Sequence, residues 1–100
     1  MNLMLRTVQK EKERVDYMLA AYLEQLAALP RGAVVSKTVG QNVYYYLKYR
    51  EGKKVFTDYL GKKGQRVAEV RAGLEKRRHI ETMVAYLKSE QVLANKVLEG

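Results

Sequence analysis

The sequence predicts an α+β protein in α-β-β-β-α order, a long antiparallel helical hairpin with a three-stranded antiparallel sheet at one end. Three observations carry that expectation. Apolar residues recur at helical spacing over residues 4–29 and again over 65–98. Between them, residues 33–60 are rich in tyrosine, valine and threonine and are punctuated by glycines, as short strands joined by turns are. Pro30 and the segment Gly61-Lys62-Lys63-Gly64 separate the three blocks. A chain of 100 residues is expected to form a single domain.

In the first helix Val8, Val15, Leu19, Tyr22, Leu26 and Leu29 fall on one stripe, which Met18 and Leu23 widen. Only Lys12 interrupts that seam. Pro30 ends the helix, because proline has no amide hydrogen and biases the residue before it out of the α region.

The first strand is expected over Ala33–Val39, followed by a turn at Gly40-Gln41-Asn42. A three-residue loop there sets Val39 beside Val43, Lys37 beside Tyr45 and Val35 beside Leu47. The second and third strands form a hairpin over residues 43–61 that turns at Glu51-Gly52, with Arg50 opposite Lys53, Leu47 opposite Phe56 and Tyr45 opposite Asp58. Alternation sorts Val43, Tyr45, Leu47, Phe56 and Leu60 onto one apolar face. Val35 and Val39 join it, and Lys37 lies in a row there with Tyr45 and Asp58. The other face collects Tyr44, Tyr46, Lys48, Arg50, Lys53, Val55, Thr57 and Tyr59, with Ser36 and Thr38. Lys54 belongs to the inner face, at its margin.

From residue 65 to 98, Val70, Leu74, Ile80, Val84, Leu87, Ala94 and Leu98 approximate a second seam, interrupted by Arg77 and Gln91. Gly73 costs roughly 1 kcal/mol relative to alanine in a helix interior. One helix kinked near Gly73 and two shorter helices both fit. A second copy of the chain can cover whatever apolar seam remains, so the sequence admits a homodimer through the helices as well as a monomer in which the sheet folds back over them.

Composition narrows the function classes. The chain has no cysteine, one histidine (His79) and two serines (Ser36 and Ser89), neither serine in a nucleophile-elbow pattern. No metal-ligand spacing or Walker loop is present, so neither cofactor nor metal is expected and a non-enzymatic role is. The amino-terminal residues do not resemble a secretory signal, and no run reaches the ~20 apolar residues of a membrane span. A cytoplasmic protein without membrane attachment is the expectation.

The net charge of +8 is unevenly spread. Residues 31–66 carry nine basic residues against only Glu51 and Asp58, while residues 1–30 are balanced and residues 67–100 hold six basic against five acidic. Such a concentration is the footprint of a polyanion-binding surface. The basic run Lys76-Arg77-Arg78-His79 reads instead as a solvated helix face.

The run Tyr44-Tyr45-Tyr46-Leu47-Lys48-Tyr49-Arg50-Glu51-Gly52-Lys53-Lys54-Val55, with Tyr59-Leu60-Gly61 after it and Leu29-Pro30-Arg31-Gly32 before it, resembles small basic bacterial proteins built from a helix, a three-stranded sheet and a basic C-terminal helix. Residues 33–61 are also similar to the arm-type DNA-binding domains of tyrosine recombinases and to the amino-terminal segments of some transposases. That resemblance implies DNA contact through the sheet and an accessory role in a mobile element. The expected contact residues are Lys37, Tyr44, Tyr46, Lys48, Arg50, Lys53, Lys54, Thr57, Tyr59, Lys62 and Lys63. The expected partner is nucleic acid, DNA favoured over RNA. The alternative is a small regulator or inhibitor, anti-CRISPR-like or toxin-antitoxin-like, that docks the same basic face on a nucleic-acid-processing protein.

Overall fold

The computed structural model describes residues 2–100. It contains α1 (Leu3–Ala28), β1 (Ala33–Val39), β2 (Asn42–Glu51), β3 (Lys54–Gly61) and α2 (Gln65–Glu99), the predicted α+β order. The chain packs as two compact units, one formed by α1 with His79–Gly100 and the other by Leu29–Arg78.

In the helical unit, Asn2 caps α1: its Oδ1 accepts a hydrogen bond from the Leu5 amide at 2.8 Å, satisfying one of the orphan donors of the first turn. Val15 and Leu19 of α1 and Ile80, Val84 and Leu87 of α2 are its buried residues. Two of the three polar residues that interrupt the seams, Lys12 and Gln91, belong to one chain of contacts. Lys12 Nζ donates to Asp16 Oδ2 at 2.7 Å, and Gln91 Nε2 donates to Asp16 Oδ1 at 2.7 Å. These two defects are thus satisfied by the same carboxylate, while the third, Arg77, is half-buried in the sheet unit.

In the sheet unit the strands run β1-β2-β3, antiparallel throughout. Leu47, Leu60 and Val67 are buried together, with Val34, Tyr45, Tyr49, Val70 and Leu74 packed against them. One sheet face therefore meets the first part of α2. The α2 helix runs unbroken through Gly73. A Cβ at Gly73 would stand 2.7 and 2.8 Å from Pro30 Cγ and Cδ, so the missing side chain makes room for the proline ring that ends the preceding helix block.

Both registers differ from expectation, with different consequences. β1 joins β2 by a two-residue turn, Gly40-Gln41, that pairs Val39 with Asn42, Lys37 with Tyr44, Val35 with Tyr46 and Val34 with Leu47. Gly40 has φ +62° while every non-glycine residue described keeps a negative φ, the signature of a type II′ hairpin with glycine in its first central position. This is one residue away from the expected three-residue loop, and a one-residue slip turns every side chain of a strand to the other face. Val35, Lys37 and Val39 are outward, while Val34, Ser36 and Thr38 share the inner face. The expected row of Lys37, Tyr45 and Asp58 does not exist.

β2 and β3 turn at Gly52-Lys53, again with a positive-φ glycine first, rather than at Glu51-Gly52. Glu51 pairs with Lys54, Arg50 with Val55, Tyr49 with Phe56, Leu47 with Asp58 and Tyr46 with Tyr59. Lys53 is accordingly a turn residue and not the strand partner of Arg50. The pairing has moved by two positions, so the faces of both strands are those expected. Near the end of β3 the register shifts and Tyr45 pairs with Gly61, an irregularity beside the buried Leu60.

Candidate nucleic-acid interface

The outer face of the sheet is assembled in rows by the register. Lys37 lies beside Tyr44; Val35, Tyr46 and Tyr59 form the next row; Ala33, Lys48 and Thr57 the third; Arg50 and Val55 the last. The three tyrosines make one cluster. The Tyr59 ring lies 5.3 Å from Tyr46 and 6.3 Å from Tyr44, tilted by 52° and 46°, within the range of favourable aromatic pairs. Tyr44 and Tyr46 are half-buried by this mutual packing, whereas Tyr59 remains 50% exposed.

Lys37, Lys48 and Arg50 share the face of the tyrosines. Lys37, Lys48, Arg50, Lys53 and Lys63 are exposed, as is Thr57. Lys62 reaches back from the loop after β3: its Nζ donates to Asn42 Oδ1 at 3.2 Å and stands over the Tyr44 ring, 5.7 Å from the centroid. Of the eleven residues expected at the site, the register puts Lys37, Tyr44, Tyr46, Lys48, Arg50, Thr57 and Tyr59 on the outer face and Lys62 joins them at Tyr44; Lys53 and Lys63 lie in the turn and the loop outside the strands, and Lys54 is turned away. It lies opposite Glu51 on the inner face.

Both acidic residues of the sheet are also on that inner face. Glu51 Oε1 forms an ion pair with Arg31 Nη2 at 3.2 Å, and the Arg31 guanidinium stands 5.8 Å from the Tyr49 ring centroid. Tyr49 stacks on Phe56 at 5.5 Å. Partial burial pushes the Tyr49 phenol above its ordinary pKa, and the negative charges of Asp58 and Glu51 add to the effect. The outer face thus holds cations and phenols without a carboxylate. Among the described residues no group of three or more His, Cys, Asp or Glu side chains is placed to hold a metal ion. No helix among them is long and apolar enough to cross a membrane.

Sequence reasoning missed Asn42 and the two outward valines, Val35 (38% exposed) and Val39 (54% exposed). The signal that could have found them is Gly40-Gln41, because glycine followed by one ordinary residue suits a two-residue II′ turn.

Fold and face together define an α+β protein with a basic, tyrosine-bearing sheet. Residues 5–72 match the family model described as Domain of unknown function (DUF6788), and the chain belongs to that family. The matched segment takes in α1 from Leu5 onward, the whole sheet and the start of α2. No curated protein and no solved structure matches the chain.

Proposed function

We propose that this is a non-enzymatic nucleic-acid-binding protein of the cytoplasm that uses the outer face of its sheet, with DNA favoured over RNA. One observation carries the reading: the register sends Lys37, Lys48 and Arg50 to the face that bears Tyr44, Tyr46 and Tyr59, and sends Glu51 and Asp58 to the opposite face. A surface so sorted attracts phosphates without internal competition, and cations that neutralise phosphates release condensed counterions. Phenolic hydroxyls add hydrogen bonds to phosphate or sugar oxygens. The resemblance of residues 33–61 to recombinase arm domains supports an accessory role in a mobile element.

Fluorescence anisotropy of a labelled oligonucleotide at two salt concentrations tests this. The expected Kd is roughly 10–100 μM at physiological salt, falling steeply as salt is removed. Absence of binding at low salt, or affinity indifferent to salt, would overturn the proposal. Lys37→Ala is expected to reduce the salt slope by about 1, as loss of one phosphate contact does, whereas Lys54→Ala on the inner face leaves the slope unchanged.

A further inference from the structure

We infer that the helical unit is the seat of a twofold dimer, in which α2 packs antiparallel against α2 of a second copy about an axis at Glu90. The first ground is a second stripe on this helix. Ile80, Val84, Leu87, Gln91, Ala94 and Leu98 repeat at alternating steps of four and three and form the seam that is buried or half-buried within the unit. Met83, Tyr86, Glu90, Leu93 and Val97 repeat at steps of three and four, each one residue before a member of that seam. Tyr86, Leu93 and Val97 are 58%, 57% and 46% exposed. A helix with two such stripes is built to meet two partners, and α1 serves the first.

The second ground is symmetry. Read about Glu90, the exposed stripe is its own complement: an antiparallel copy sets Met83 against Val97, Tyr86 against Leu93 and Glu90 against itself, as an isologous interface requires. Beside Leu93, the side chains of Val8, Val15, Ala94 and Val97 line a cleft of about 180 Å³. That register brings Tyr86 of the second copy to this cleft, and a tyrosine seated in an apolar pocket is a common anchor of protein interfaces.

The third ground is charge and area. The sheet unit carries thirteen basic and four acidic residues, so two copies repel each other there, whereas the helical unit, with six basic and seven acidic, is nearly neutral. Glu11 and Glu90 beside the cleft also make it a poor seat for a nucleic acid. Residues 79–99 of α2 rise about 31 Å, and two helices side by side span about 20 Å. Each copy can thus cover on the order of 600 Å², about 1,200 Å² in all, the lower bound of stable interfaces, and the association is accordingly weak.

The test uses the full chain without nucleic acid, so its failure leaves the proposed binding untouched. Sedimentation equilibrium at about 100 μM protein is expected to show a reversible dimer, and Leu93→Lys, at a position exposed in the single chain, to return it to monomer with an unchanged helical circular dichroism spectrum. Glu90→Gln removes two carboxylates that face each other across the axis and is expected to tighten the dimer at least about threefold. The chain has no cysteine, so single cysteines report the register. Under mild oxidation Glu90→Cys is expected to cross-link to its own copy. Val97→Cys does so only when mixed with Met83→Cys. A monomer at this concentration, a dimer that survives Leu93→Lys, a dimer not tightened by Glu90→Gln, or Val97→Cys cross-linking alone as fast as Glu90→Cys would each overturn the inference.

Discussion

Asp16 shows how one side chain resolves two irregularities that are far apart in the chain. Its carboxylate accepts from Lys12 and from Gln91, and these two hydrogen bonds, Lys12 first, hold its pKa below the ordinary aspartate range. The neighbouring Glu11 is lowered in the same direction by its hydrogen bond with Arg14. A carboxylate with a depressed folded pKa binds its proton less readily folded than unfolded. Its stabilisation is therefore complete above the ordinary range and is lost as pH falls through the lowered value. Thermal midpoints measured from neutral pH down to about pH 2 should fall with acidity, and Asp16→Asn should flatten that fall while lowering the neutral-pH midpoint. An unchanged acid profile in the variant would contradict this account of Asp16. From the sequence, Lys12 and Gln91 were visible only as defects, because the carboxylate that joins them is 75 residues from Gln91.

At the scale of elements, turn chemistry decides what alternation leaves open. The sequence Ala33-Val34-Val35 offers a valine to the core in either register of β1, so apolar content discriminates poorly between them. A two-residue turn with glycine first then prevails, and Val34 rather than Val35 packs with Leu47. In β2 and β3 the displaced turn moved the pairing by two and kept the faces, which is why the tyrosine face was legible despite the wrong partners. Gly73 makes a related point about α2. It was legible as a weak helix position, but its role is to accept the Pro30 ring. Gly73→Ala gains about 1 kcal/mol of helix propensity and meets a rigid ring at under 3 Å, an overpacking that costs about 1–3 kcal/mol. A net loss of up to about 2 kcal/mol is expected, read as a lower urea midpoint at unchanged slope. A raised midpoint would show that Pro30 moves aside freely.

At the scale of the whole molecule, charge follows the two packing units. Leu29–Arg78 carries thirteen basic and four acidic residues, a net +9, while α1 with His79–Gly100 carries six basic against seven acidic, a net −1. Local contacts, not total charge, set counterion release. Two charge-reversal pairs of equal net charge therefore separate the possibilities. Lys37→Glu with Lys48→Glu, both on the outer face, should abolish oligonucleotide binding at about 0.15 M salt, whereas Lys10→Glu with Lys88→Glu should change it less than about threefold. Equal losses in the two variants would mean that general cationic attraction, rather than a sheet surface, drives association.

The order of elements, the alternating faces of the tyrosine hairpin and the concentration of positive charge were determined by the chain itself, because periods of 2 and 3.6 and the positions of charges are local properties. Which face β1 turns outward was decided only in three dimensions, where a glycine turn selects between two registers of similar apolar content. The packing of Tyr44, Tyr46 and Tyr59 into one cluster was decided there too. It depends on the partner strand lying opposite each ring, and strand pairing is a relation between segments that no single segment contains.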